Sequence, residues 1–88
     1  MDLVIIITQF SLYSQALVID KEGNTVKQFS VMTNLNNVDL NEIVKENSIS
    51  TIYISGIGKP FFEKIKEKYP NIEFKLGNIK SVLNNNIS

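Results

Sequence analysis

The sequence predicts a single α/β domain built on one five-stranded mixed sheet, with the element order βββαβαβ. Three observations support this fold class. The first third of the chain holds apolar runs separated by a short link and a glycine-containing turn, which is typical of antiparallel strands. The remainder alternates amphipathic segments with short β-branched runs, which is typical of parallel strands joined by helices. The length of 88 residues is that of one domain.

The first part of the chain is predicted to be a three-stranded antiparallel meander. Residues 3–7 form a continuous apolar run that suits a strand buried on both faces, and residues 12–19 form a second run. The link at residues 9–11 is too short for a helix, so we expect these strands to be antiparallel neighbours. A polar turn at residues 20–24 contains a glycine, as a tight hairpin requires, and a third strand is expected over residues 25–32.

The first helix is predicted to begin after Asp39. Asp39 and Glu42 have the spacing of a capping box, in which the first side chain accepts a hydrogen bond from a free backbone N–H of the helix. The polar pair Asn47 and Ser48 is expected to end the helix. A fourth strand follows over residues 51–55, because that segment is short and β-branched.

A second helix is predicted over residues 60–69. Its first residue is a proline, whose missing N–H costs nothing at that position. Residues 72–76 then alternate apolar and charged side chains, as an exposed edge strand does. Residues 78–83 are expected to form a further helical turn or two. The domain is therefore predicted to span residues 1–83, with a polar C-terminal tail at residues 84–88.

The helices are expected to join parallel strands by right-handed crossovers, which predicts the strand order 3-2-1-4-5. With this order, residues 4–9, 15–20 and 23–26 look like the hairpin that opens the ribonuclease H-like fold, which also underlies the actin-like ATPases. Active members of that fold carry a metal-binding aspartate at the end of the first strand. This chain has Thr8 near that position, so the resemblance implies the fold without its nuclease or ATPase chemistry.

A second resemblance covers roughly the last 40 residues. Residues 52–62 carry Gly56-Ile57-Gly58 between a predicted strand and a predicted helix, and Ile65, Tyr69 and residues 72–76 follow. This pattern is similar to the end of the dinitrogenase iron–molybdenum cofactor-binding domains, which share the ribonuclease H-like topology. Those domains also have a longer loop with a histidine after the first strand, which is absent here, so the resemblance implies a fold more than a ligand.

The composition argues against several classes of function. The chain has no cysteine and no histidine, so disulfides, cysteine-ligated zinc and the usual neutral-pH general base are excluded. Nine lysines balance nine carboxylates and there is no arginine, which argues against nucleic acid as the main partner. The apolar run near the start is too short for a signal peptide or a membrane span. We therefore expect a cytoplasmic protein without a membrane partner.

The sequence offers little for catalysis. A two-metal hydrolase needs several converging carboxylates, and Asp2, Asp20 and Glu22 are not expected to converge. The remaining nucleophilic pair is Ser55 with Lys59, and the simpler interpretation is that both are polar turn residues. We expect no catalytic residue, no metal and no cofactor.

One candidate ligand site lies where the strand order reverses, at the carboxyl ends of the first and fourth strands. A glycine turn that leads into a helix N-terminus offers free N–H groups to an anion. The candidate ligand-binding residues are Thr8, Gln9, Ser55, Gly56, Gly58 and Lys59, with Ser11 as a neighbour.

Protein contacts are the favoured function. Phe10, Tyr13 and Phe62 are candidates for exposed aromatic side chains, which mark such contacts. The expected protein is a non-catalytic binding or regulatory domain that associates with itself or a partner, and its size and composition fit a phage or mobile-element inhibitor of a bacterial enzyme. Two alternatives stay open: a small-molecule or anionic cofactor-binding domain that uses the 55–59 turn, and a degenerate metal-dependent hydrolase.

Overall fold

The computed structural model describes residues 1–77, which form one five-stranded sheet and two helices. The elements are β1 Asp2–Ile6, β2 Tyr13–Ile19, β3 Thr25–Met32, α1 Leu40–Asn47, β4 Thr51–Ser55, α2 Lys59–Lys68 and β5 Glu73–Leu76. This is the predicted order βββαβαβ, with strand ends that differ by a residue or so. The helical turn expected over residues 78–83 and the polar tail at residues 84–88 lie outside the described residues.

The strands are arranged in the order β3-β2-β1-β4-β5, which confirms the prediction. β1 is antiparallel to β2, with Val4 opposite Leu17, and parallel to β4, with Val4 opposite Tyr53. β2 and β3 are antiparallel, while β4 and β5 are parallel. The carboxyl ends of β1 and β4 therefore lie side by side at one edge of the sheet.

Both helices pack on the same face of the sheet. Leu3 and Ile5 of β1 lie on that face and form the main core together with side chains of both helices, including Leu40, Phe62 and Ile65. The opposite face has a smaller apolar cluster of Val4 and Ile19, with Ile6, Leu17 and Tyr53 packed against it. β1 is thus buried on both faces, as its unbroken apolar run predicts. Within residues 1–77, no helix is long and apolar enough to cross a membrane.

The start of α1 confirms one half of the predicted capping box. Asp39 Oδ1 accepts hydrogen bonds from the backbone N–H groups of Asn41 at 3.0 Å and Glu42 at 3.3 Å. The Glu42 side chain does not return to Asp39. A hydrogen bond with the Glu46 carboxyl, together with the negative charges of Glu46 and Asp39, raises the pKa of Glu42 above its usual value.

The turn between β2 and β3 is organised by one carboxylate. Asp20 Oδ1 accepts hydrogen bonds from the backbone N–H groups of Asn24 at 2.9 Å and Glu22 at 3.0 Å. Gly23 has a φ of 84°, as the polar turn predicts. The hydrogen bond from the Asn24 backbone, followed by that from Glu22, holds the pKa of Asp20 below 3.8.

Candidate functional site

The candidate site lies at the carboxyl edge of the sheet, where the loop after β1 meets the turn after β4. The Ile7 backbone N–H donates to the Ser55 carbonyl at 2.9 Å and so extends the pairing of the two strands. One step further, Gln9 Nε2 donates to the Gly56 carbonyl at 2.9 Å. These two contacts join the loop at residues 7–12 to the turn at residues 56–58.

The two glycines of the turn have different roles. Gly56 has a φ of 87°, and a Cβ at this residue would collide with the Ile7 carbonyl oxygen. Gly58 has an ordinary φ of −84°, and the nearest atom to a Cβ there would be Pro60 Cδ at 3.7 Å. The backbone therefore requires glycine at position 56 but not at position 58.

A directed chain of hydrogen bonds holds the loop in place. The Thr8 backbone N–H donates to Ser14 Oγ at 3.0 Å, and Thr33 Oγ1 donates to the Ser11 carbonyl at 2.6 Å. Ser14 Oγ and Thr33 Oγ1 lie 2.9 Å apart. Because the Thr33 proton is already engaged, Ser14 is the donor in this last bond. The chain ties the loop to β2 and to the residue that follows β3.

A cleft of about 440 Å³ opens between the loop and the start of α2. Its apolar lining comes from Ile7, Leu12, Met32, Ile57 and Phe61. Its other lining residues are Gln9, Ser11, Thr33, Asn34 and Gly58. Small-molecule sites and protein-anchor pockets share this combination of an apolar wall with a few polar groups.

The loop at residues 7–12 and the start of α2 expose large apolar side chains. Phe10 is 101% exposed and Leu12 is 78% exposed, and both belong to the tied loop. Phe61 of α2 is 38% exposed and lines the same cleft. Phe10 is thus a surface aromatic, as predicted. The prediction that Phe62 lies at the surface is wrong, because its side chain is 6% exposed and belongs to the core.

The predicted ligand residues are only partly gathered. Gln9 and Gly58 line the cleft, together with the neighbour Ser11. Ser55 is the last residue of β4 and pairs with Ile6, and Gly56 carries the carbonyl that holds Gln9. Thr8 and Lys59 are both exposed but are not among the lining residues of the cleft.

The N-terminus of α2 meets the cleft without a capping side chain. Gly58 is the N-cap residue and supplies no side-chain hydrogen bond. Pro60 has no N–H. The free donors of the first turn are therefore the backbone N–H groups of Lys59 and Phe61, which have no acceptor within the helix. The first turn contains no acidic residue, which leaves the positive end of the helix dipole uncompensated by side chains.

The acidic residues lie elsewhere. Asp2 opens β1 opposite Ile19, which places it at the same edge of the sheet as Asp20. That edge is at the other end of β1 from the cleft, and the Asp20 carboxylate is already bonded within its turn. Among residues 1–77 there is no group of three or more histidine, cysteine, aspartate or glutamate side chains that could hold a metal ion.

Sequence reasoning missed the side chains that shape the cleft. Met32 and Thr33 come from the end of β3, and Leu12 and Phe61 complete the apolar wall. Sequence reasoning also missed Ser14, which lies in a strand with several apolar residues. Ser14 is 2% exposed, and a polar side chain that faces the core indicates a specific hydrogen bond.

Comparison with known proteins adds one distant likeness. No family model matches the sequence, and no curated protein matches it. Among solved structures, the crystal structure of PH0822 has a TM-score of 0.47 and 19% sequence identity to this chain, and the superposition covers 97% of this chain and 89% of PH0822. A likeness of this degree says nothing about what the present chain does.

Proposed function

We propose that this domain is a non-catalytic binding or regulatory module that holds a partner protein at the carboxyl edge of its sheet. The observation that carries the proposal is the exposure of Phe10 and Leu12, at 101% and 78%, on a loop that is fixed by hydrogen bonds. Exposed apolar residues grouped around a cleft are typical of protein-contact surfaces.

The fixed loop strengthens this interpretation. An exposed apolar side chain on a mobile loop would lose conformational freedom on binding, and that loss weakens affinity. Here two hydrogen bonds already hold the loop, one from the Gln9 side chain to the Gly56 carbonyl and one from the Thr33 hydroxyl to the Ser11 carbonyl. The partner would therefore contact a surface that is ordered in advance, with the cleft as a pocket for one apolar side chain.

The direct test is capture of the partner by the tagged domain, followed by titration with the purified partner. We expect Leu12→Ser and Phe10→Ser each to weaken binding by about tenfold or more, because anchor side chains at an interface contribute on the order of 2 kcal/mol. Leu76→Ser is the matched control, since Leu76 is 43% exposed on β5 and lines neither the cleft nor the groove beside β3. Equal binding by all three variants would refute the proposal.

A second candidate function uses the same cleft for a small anionic ligand. The uncapped start of α2 at Gly58 is the observation that favours it, with Gln9 and Asn34 as further polar lining residues. Inorganic phosphate should then raise the midpoint of thermal unfolding, and Gly58→Asp should remove the gain by placing a carboxylate at the helix start. Absence of any gain across small anions would leave protein binding as the better proposal.

We also propose that the fold is ribonuclease H-like. The support is the strand order 3-2-1-4-5, with β1 between an antiparallel β2 and a parallel β4. Thr8 follows β1 near the place where active members of that fold carry a metal-binding aspartate. A threonine instead of an aspartate near this position agrees with a binding role for the carboxyl edge and not with metal-dependent hydrolysis.

A further inference from the structure

The outer edge of β3 has no partner strand among residues 1–77. β3 is the terminal strand of the sheet and pairs through its other edge with β2. It has eight residues, with Lys27 as its one charged side chain and no proline. Proteins usually shield an edge of this length with charges, prolines or shortening, as β5 does with four residues that include Glu73 and Lys75.

A groove of about 440 Å³ runs beside this edge, between β3 and α1. Phe29, Val38 and Ile43 line it as partly buried apolar side chains that rest on the main core. A strand added beside β3 would send every second side chain to this face of the sheet. The groove is thus placed to receive alternate side chains of an added strand, as in recognition by β-augmentation.

The helix side of the groove is acidic. Asp39 and Glu46 line it, and Glu42 lies one helical turn before Glu46 on α1. Across the described part of the chain, the one ion pair joins Lys75 to Glu73, so no lysine contacts these three carboxylates. The Nζ of Lys27, on the strand side, lies 5.8 Å from the centroid of the Phe29 ring.

We propose that β3 binds an extended segment of a partner protein as an additional strand, with apolar side chains over Phe29 and Ile43 and a basic side chain beside Glu46. A basic side chain is favoured there because Asp39 and Glu46 are the charged residues on the helix side of the groove. Tyr13, 58% exposed and also lining the groove, would contact one end of the segment.

A second copy of this chain suits the groove less well. Pairing of two β3 strands about a two-fold axis would bring the acidic sides of both α1 helices to the same seam, and like charges facing each other oppose association. A separate segment with apolar and basic residues meets no such repulsion. The occupant is therefore a different protein. This groove shares Met32 with the cleft at the carboxyl edge, and its other lining residues are different.

The test uses a pair of capped eight-residue peptides and the full chain. Both peptides alternate valine with threonine, and one valine position carries lysine in the first peptide and glutamate in the second. We expect the lysine peptide to bind about tenfold more tightly, since opposite charges meet at the groove. On binding, amide hydrogens of β3 should become protected from exchange, whereas those of residues 9–12 should not.

Two charge-matched variants sharpen the test. Glu46→Lys should reverse the preference for the lysine peptide, whereas Glu67→Lys, an equal change at an exposed site on α2, should leave it intact. Leu12→Ser should bind the peptide normally, which separates this proposal from the function proposed for the cleft. Equal affinity for both peptides, protection confined to residues 9–12, or a dimer that already protects β3 without peptide would each overturn the proposal.

Discussion

Gly56 is the residue whose identity the backbone dictates most strictly. Its φ of 87° is unfavourable for any side chain, and the Ile7 carbonyl occupies the space that a Cβ would need. Gly58, two residues later, has neither restriction. Glycine is therefore needed for the fold at position 56, whereas at position 58 it is not required by the backbone and the residue lines the cleft.

Gly56→Ala should destabilise the domain by about 3 kcal/mol, because the strained φ and the steric contact add together. Gly58→Ser is the matched change, and it should raise stability by a few tenths of a kcal/mol by capping α2. Urea unfolding of both variants measures the difference. Similar midpoints for the two would contradict the division of roles between these glycines.

The sequence pattern of α2 does not decide which of Phe61 and Phe62 is buried. Adjacent helical residues point about 100° apart, so one of the pair had to be less buried. The spacing of Phe62, Ile65 and Tyr69 matches one helical face, and these are the buried residues of the segment. Which phenylalanine faces the sheet depends on the rotation of α2 against the other strands, which is a tertiary property.

At the scale of elements, the turn between β2 and β3 contributes to the response to acid. The folded pKa of Asp20 is lower than its unfolded value, so its carboxylate stabilises the fold above pH 3.8. That contribution is lost as the pH falls through 3.8 and below, because the unfolded chain then binds the proton more tightly.

Asp20→Asn should remove this part of the acid dependence while the amide oxygen still accepts the hydrogen bonds from Glu22 and Asn24. The expected result is a smaller loss of stability on acidification than in the parent chain, measured by urea unfolding at a series of pH values. Glu42 has a raised pKa and acts in the opposite direction, because its contribution to folding stability falls as pH rises above 4.5. Glu42 is present in both the variant and the parent chain, so it does not affect the comparison. Glu22→Gln is the control, and acid curves of Asp20→Asn that match the parent would refute the assignment.

The elements themselves could be predicted because their causes are local. The continuous apolar run of β1 reflects burial on two faces, and Asp39 caps α1 through bonds to residues two and three positions away. The start of α2 at Lys59, with Pro60 second, differs from the prediction by one residue. The cleft could not be predicted as a whole, because Thr33 reaches Ser11 across 22 positions of sequence.

At the scale of the molecule, two proposed contact surfaces adjoin at Met32, which lines both of them. The loop at residues 7–12 lies at the carboxyl ends of β1 and β4, whereas the groove follows the outer edge of β3. Thr33 lies at the junction: it follows β3, lines the cleft and bonds to both Ser14 and Ser11. A change at this residue should therefore disturb the loop without removing any exposed apolar side chain.

Thr33→Val keeps the shape of the side chain but removes its hydroxyl. We expect it to cost about 1–2 kcal/mol of stability, because the buried Ser14 hydroxyl loses its acceptor and the Ser11 carbonyl loses its donor. The amide hydrogens of Thr8 and Ser11 should then exchange faster, and binding through Phe10 and Leu12 should weaken although both side chains are intact. Thr25→Val, at an exposed position on β3, is the control.

Unchanged exchange at Thr8 and Ser11 would show that the loop does not depend on Thr33. Preserved affinity despite faster exchange would show that partner binding does not require a pre-ordered loop.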